Sequence, residues 1–252
     1  MLEANIRERR SKRDTLLMTH IVLGYPSFEE SRRLVEQMVL AGVDLIEMQI
    51  PFSEPIADGP VILHANQKAL AAGSTVDRCL ELASKLTREF SIPFLFMTYY
   101  NIAFVRGVQR FAREMREAGV QGAIVPDLPF EEGESLLRAM AAEKLDPIFI
   151  FAPSTSDARL KQIAERSRGF VYCVARKGVT GATTDFAALD QYLQRCHRHT
   201  KLPLALGFGV KTREDVAAIR GKVDIAVVGS ETIRVLDQSG VKAVRPFLES
   251  LR

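Results

Sequence analysis

The sequence predicts a closed barrel of eight parallel strands, each followed by a helix, and three observations carry that expectation. The chain has 252 residues, close to the length of about 250 that one such barrel takes as a single domain. Eight short apolar runs recur along it, most of them without polar alternation, as parallel strands covered on both faces require. Longer segments of helical period separate the runs, and no linker or low-complexity stretch interrupts them. Residues 1–252 are therefore read as one domain.

In chain order the strand runs are Leu17 to Leu23, Leu45 to Ile50, Pro93 to Met97, Gly122 to Val125, Pro147 to Phe151, Phe170 to Ala175, Pro203 to Gly207 and Asp224 to Val228. Between the first two, Ser27 precedes Glu30 by three residues in a capping-box pattern. Leu34 and Met38 share one helical face there, and Gly42 is placed to end the helix. Val108, Phe111, Met115 and Ala118 repeat the apolar stripe before Gly119, and Phe186, Leu189, Leu193 and Cys196 repeat it before the seventh run. Leu40-Ala41-Gly42-Val43-Asp44-Leu45-Ile46 echoes Glu117-Ala118-Gly119-Val120-Gln121-Gly122-Ala123, which suits one repeated helix-to-strand unit. An open doubly wound sheet would use the same alternation. The first strand, however, lacks a GxGxxG turn and the glycines gather late in the chain, so the closed form is preferred.

Composition removes several classes of function. With 34 basic and 31 acidic residues the net charge is +3, far from the concentrated positive surface that nucleic-acid binding needs. The basic run Ile6-Arg7-Glu8-Arg9-Arg10-Ser11-Lys12-Arg13 has acids interleaved and reads as a solvated face. Cys79, Cys173 and Cys196 are odd in number and widely spaced, which argues against a disulfide framework or a metal site and fits a reducing cytoplasm. No secretory signal or membrane span is expected.

Glycines cluster where the last three strands end: Gly178-Val179-Thr180-Gly181, Gly207-Phe208-Gly209 and Gly229-Ser230. In a barrel these loops are neighbours, and glycine lets backbone N–H groups approach an anion. Ser230 would open a short helix whose positive end completes a phosphate cradle. Glu231 counts against it, because a carboxylate repels phosphate.

Two carboxylates complete the candidate site. Glu47 stands inside an apolar strand, and if it faces the barrel axis then Leu45 and Gln49 do too. A carboxylate there is costly to bury, and near the strand's C-terminal end it suits a group that donates and accepts protons in turn. Asp58 follows on a loop whose two prolines and glycine, Pro55, Pro60 and Gly59, hold it to few conformations over the same mouth.

The stretch Glu47-Met48-Gln49-Ile50-Pro51-Phe52-Ser53-Glu54-Pro55-Ile56-Ala57-Asp58-Gly59-Pro60 resembles the signature of the α subunit of tryptophan synthase. The likeness extends through Ala65-Asn66, Tyr99-Tyr100-Asn101, Pro126-Asp127-Leu128-Pro129, Gly178-Val179-Thr180-Gly181-Ala182, Gly207-Phe208-Gly209 and Gly229-Ser230, over nearly the whole chain. It implies a TIM barrel that cleaves indole-3-glycerol phosphate to indole and glyceraldehyde 3-phosphate, a retro-aldol reaction with neither metal nor organic cofactor. Glu47 matches the family's proton shuttle and Asp58 the acceptor of the indole N–H. By the same resemblance Tyr99, Tyr172 and Phe208 line the indole site, Thr180 helps position Asp58, and Gly181, Gly209, Gly229 and Ser230 hold phosphate. A β subunit that consumes the indole is implied as partner in an α2β2 assembly.

The chain departs from the family's commonest pattern at Gln49, where glycine is usual, at Glu54 in place of Asp, at His20 where an aromatic is frequent, and at Ala175 and Lys177 on either side of Arg176. Other readings are a Schiff-base aldolase through Lys177, a stand-alone indole-glycerol-phosphate lyase, and a phosphate-binding barrel without catalysis that regulates a β subunit.

Overall fold

Alternation along the first strand already sorts the molecule into an inside and an outside. The computed structural model describes residues 2–175, 186–207 and 209–252. In Leu16–Val22 (β1), Leu16 and Met18 belong to an inner apolar cluster, whereas Leu17 and Ile21 pack outward among the helices. Thr19 also points outward, its hydroxyl 3.2 Å from the Met38 sulfur on helix Phe28–Leu40. His20 therefore faces the axis. The second strand, Leu45–Gln49 (β2), repeats the pattern, with Leu45 in the inner cluster and Ile46 and Met48 in the outer one.

The remaining strands are Phe94–Met97 (β3), Gly122–Ile124 (β4), Asp146–Ile148 (β5), Ile150–Phe151 (β6), Val171–Val174 (β7), Leu204–Gly207 (β8) and Ile225–Val228 (β9). All pair in parallel, in the order β5-β4-β3-β2-β1-β9-β8-β7-β6. The sheet is a nearly closed barrel. Its two free ends are consecutive in the chain, so β5 and β6 together are the fifth strand that the sequence predicts as one run from Pro147 to Phe151. They divide at Phe149 because residues before it pair with β4 and residues after it with β7.

The outer helices form as their sequences require. Ser27 Oγ accepts from the Glu30 N–H at 3.1 Å to open Phe28–Leu40, while the Glu30 carboxylate turns to Arg33, so half of the expected capping box forms. Gly42, at φ +79°, ends that helix. Val108, Phe111 and Met115 are buried on helix Val108–Glu117, and Leu189, Leu193 and Cys196 on helix Phe186–His199.

Most of the basic N-terminal run turns out to belong to a helix, Leu2–Arg10, whose two buried residues, Leu2 and Ile6, join the inner cluster and close the barrel at the strands' N-terminal ends. Its charges are partnered. Arg10 pairs with Asp224, Arg7 with Glu3, and Arg9 and Arg13 with the buried Asp44, which also receives Arg252 and the Leu17 N–H. Plugging the lower end leaves the C-terminal end of the strands as the open one.

Candidate active site

Parallel register sets the first contact at this open end. His20 is the partner of Glu47 across β1 and β2, and both side chains turn inward, so His20 Nδ1 meets Glu47 Oε1 at 3.0 Å. Each is about 5% exposed. The other carboxylate oxygen, Glu47 Oε2, is buried without a hydrogen-bond partner among the described residues. A buried acceptor in that state is costly and has its use only when something enters to satisfy it.

The second contact joins the strand to the loop that follows it. Gln49 Nε2 donates to Asp58 Oδ2 at 2.7 Å, and the Tyr99 hydroxyl donates to the same oxygen at 2.9 Å. That hydroxyl in turn accepts from the Ala57 N–H at 3.1 Å. The loop is held elsewhere too. Asp58 N–H donates to the Pro55 carbonyl, Gly59 caps the helix Pro60–Ala71, and buried Asn66 on that helix accepts from the Phe52 N–H at 2.9 Å. Phe52 stacks on Tyr99 with ring centres 5.1 Å apart. Pro60 suits the first helical turn because its missing N–H would have no partner there.

Charge is redistributed by this geometry. Burial raises the Asp58 carboxyl above the usual carboxylate range, against the pull of the nearby His20 charge and of the Gln49 and Tyr99 hydrogen bonds. Burial alone would lower His20. The Glu47 hydrogen bond and charge, the Asp58 charge and the Gln49 side chain outweigh it, and the imidazole holds its proton to higher pH than usual. Tyr172 is pushed well up by burial and by the charges of Glu47 and Asp58, so its phenol stays neutral.

A cavity of about 670 Å³ opens above these groups. Glu47, Asp58, Tyr172, Gly209, Gly229 and Ser230 line it, as the sequence expects of the site. Tyr99 is fully buried and lies behind Asp58 instead of in the cavity wall, acting through its hydroxyl. Thr180, Gly181 and Phe208, together with Lys177, lie outside the described residues. Gly207 serves the ring beside it: a Cβ there would meet the Tyr172 hydroxyl oxygen at 2.5 Å.

At the far wall, helix Ser230–Ser239 starts with Gly229 at its cap and presents its positive end to the cavity. Glu231 is not left to repel an anion alone, since its carboxylate pairs with Arg234 at 2.7 Å. Lys211 and Arg234 also line the cavity and are basic residues that the sequence reading passes over. A signal for each exists, Lys211 standing two residues past Gly209 and Arg234 one helical turn past Ser230. His20, noted in the sequence only as a departure, proves to touch Glu47.

The family described as tryptophan synthase alpha chain matches residues 6–247. The chain belongs to that family. As a member it is a carbon–carbon lyase of tryptophan biosynthesis, performing the α reaction on indole-3-glycerol phosphate. It is 60% identical over 252 residues to the tryptophan synthase alpha chain of Desulforapulum autotrophicum and 59% identical over 253 to that of Syntrophotalea carbinolica, with 100% of each chain covered in both cases. Among solved structures it resembles tryptophan synthase from Mycobacterium tuberculosis, with TM-score 0.93 at 33% identity over 99% of this chain and 96% of that one. It also resembles the tryptophan synthase complex from Pyrococcus furiosus, with TM-score 0.85 at 29% identity over 94% and 97%. Among the described residues no helix is long and apolar enough to cross a membrane.

Proposed function

We propose that the α reaction is carried here by Glu47 and Asp58, acting on indole-3-glycerol phosphate whose phosphate rests on the glycine-rich wall. One observation carries this reading: a carboxylate with one unpartnered oxygen and a second, braced carboxylate line one cavity, opposite the start of a helix. Cleavage needs indole C3 protonated, the ring nitrogen's growing charge stabilised and the side-chain hydroxyl deprotonated. Glu47 gives its proton to C3 and then takes the hydroxyl proton as the carbon–carbon bond breaks. Asp58 accepts the indole N–H and stabilises the cationic ring.

Tyr172 shapes the indole pocket, and Gly209, Gly229 and Ser230 offer their backbone and hydroxyl to phosphate. Tyr99 contributes by bracing Asp58. Thr180, Gly181 and Phe208 keep the roles that the family pattern gives them. Residues 1–252 act as one catalytic domain, and the three buried free cysteines suit work in the cytoplasm.

A β subunit is the partner proposed, in an α2β2 assembly. Its support is a set of large apolar side chains left in solvent: Ile56 on the loop after β2 and Phe104 and Val105 on the helix after β3 are 64–79% exposed. Neighbouring strands place these residues at the active-site end, where docking would reach the loop that carries Asp58.

The test is indole release from indole-3-glycerol phosphate by the purified chain, alone and with excess tryptophan synthase β subunit, using Glu47→Gln and Asp58→Asn. Turnover that rises with the β subunit and falls at least 100-fold in both variants is expected. High turnover by the chain alone would favour a stand-alone lyase. Unchanged turnover in either variant would remove that residue from the mechanism.

A further inference from the structure

His20 has an acid on either hand. Its Nδ1 lies 3.0 Å from Glu47 Oε1. Its Nε2 and Gln49 Oε1 are both buried and have no hydrogen-bond partner among the described residues, while the Gln49 side chain favours the protonated imidazole and its Nε2 reaches Asp58. Glu47 thus holds one side of the imidazole and Asp58 holds the Gln49 amide, while the imidazole Nε2 and the amide Oε1 make no hydrogen bond to each other. Packing alone does not call for these polar groups in a barrel interior otherwise filled by apolar side chains, where each polar atom must be satisfied or be costly.

We propose that His20 is a positioning residue that decides which oxygen of Glu47 reacts. The inference rests on the roles given above to Glu47 and Asp58. His20 Nδ1–H donates to Oε1 and fixes the carboxylate plane against β2, which leaves Oε2 to exchange the proton.

The proton balance follows directly. Oε2 gives its proton to indole C3, Glu47 becomes a carboxylate, and the His20 hydrogen bond to Oε1 strengthens as it becomes charge-assisted. The hydroxyl proton then passes to Oε2 while the carbon–carbon bond breaks, its electron pair returns to the ring and the aldehyde forms. His20 neither gains nor loses a proton over the cycle.

Among the described residues, the charged and titratable groups that share the cavity with His20 are Glu47 from β2, Asp58 from the loop after it, Tyr172 from β7, Lys211 after β8, and the Glu231–Arg234 pair on the helix after β9. Glu47 and Asp58 raise the imidazole above its usual range while burial opposes them. Tyr172 stays neutral. The Glu231 carboxylate is matched by Arg234.

The experiment compares His20→Phe, an apolar ring of similar bulk, with His20→Asn, whose amide N–H stands close to the place of Nδ1. In His20→Phe, kcat is expected to fall 10- to 100-fold with KM within about threefold, because Glu47 without its donor no longer holds Oε2 toward the substrate. His20→Asn is expected to recover kcat to within about fivefold of the parent. A kcat in His20→Phe within threefold of the parent overturns the inference, as does an Asn variant that falls as far as Phe. His20→Met supplies the same comparison where Phe does not fold, as judged by circular dichroism. Glu47→Gln and Asp58→Asn run alongside: their retained activity would sink the parent reading, whereas their loss beside an active His20→Phe sinks this inference alone.

Discussion

Gln49 Nε2 lies 2.7 Å from Asp58 Oδ2, and so ties the end of β2 to the loop that leaves it. A glycine at position 49 would remove both the tie and the side chain that fills the space beneath the loop. Among the described residues Asp58 would keep only the Tyr99 hydroxyl as a side-chain donor. A hydrogen bond to a charged group contributes about 1.5–3 kcal/mol, and water entering the vacated space returns part of it. Gln49→Gly is expected to lower kcat/KM about tenfold, with the melting temperature nearly unchanged. Steady-state kinetics with indole-3-glycerol phosphate decides it, and a variant as active as the parent would show that Asp58 is braced without Gln49.

Replacing Asp58 itself should separate stability from activity. Its carboxyl is raised in the folded protein, chiefly by burial, so the folded state binds its proton more tightly than the unfolded chain does. Above the raised value the ionised group costs stability. Below the ordinary value for an aspartate that cost is gone. Asp58→Asn keeps an oxygen able to accept from Gln49 and Tyr99 and carries no charge. The variant is expected to melt higher than the parent near neutral pH, with the gap closing as pH falls through the carboxylate range. Catalysis should be lost at every pH. Thermal melts at several pH values check the sign, and a gap that widens on acidification contradicts it.

Legibility of this molecule in its sequence depended on the range of the signal. Leu34 and Met38 on one helical face, the Ser27 cap and Gly42 at φ +79° are local patterns, and they appear where the sequence puts them. Apolar runs likewise marked every strand, and only pairing to opposite neighbours divided the fifth at Phe149. The N-terminal helix was hidden because Leu2 and Ile6 are two apolar residues among many charges. Their burial depends on a barrel bottom built by residues far along the chain. His20 and Glu47 meet only through the register of β1 on β2, which no spacing in the sequence states. Lys211 and Arg234 reach the cavity from separate strand ends for the same reason.

Gly207 is held by its neighbour's ring, and an added methyl tests this. A Cβ would lie 2.5 Å from the Tyr172 hydroxyl oxygen and 2.9–3.0 Å from two ring carbons. The backbone there is ordinary strand, so the cost is steric. Overpacking of this kind costs about 1–3 kcal/mol unless the ring moves, and its escape is into the cavity that it lines. Gly207→Ala is expected to raise KM at least fivefold, with a fall of several degrees in melting temperature. Parent-like KM and stability together would show that the ring yields without entering the substrate's space.

Asp44 lies at the opposite end of the barrel, far from the chemistry, and its removal should spare turnover while weakening the fold. Its side chain is 2% exposed, accepts from the Leu17 N–H at 3.0 Å, and gathers Arg9, Arg13 and Arg252. Arg252 reaches it from just past helix Val244–Ser250, so the carboxylate fastens that helix end to the first two strands. Alanine would leave a buried strand N–H unsatisfied, which costs about 1–3 kcal/mol. Asp44→Ala is expected to unfold about 2 kcal/mol more easily while the folded fraction keeps its kcat. Urea unfolding followed with an activity assay on the same samples resolves the two effects. A large loss of kcat at full folding would mean that strain at the plugged end reaches Glu47 through β2.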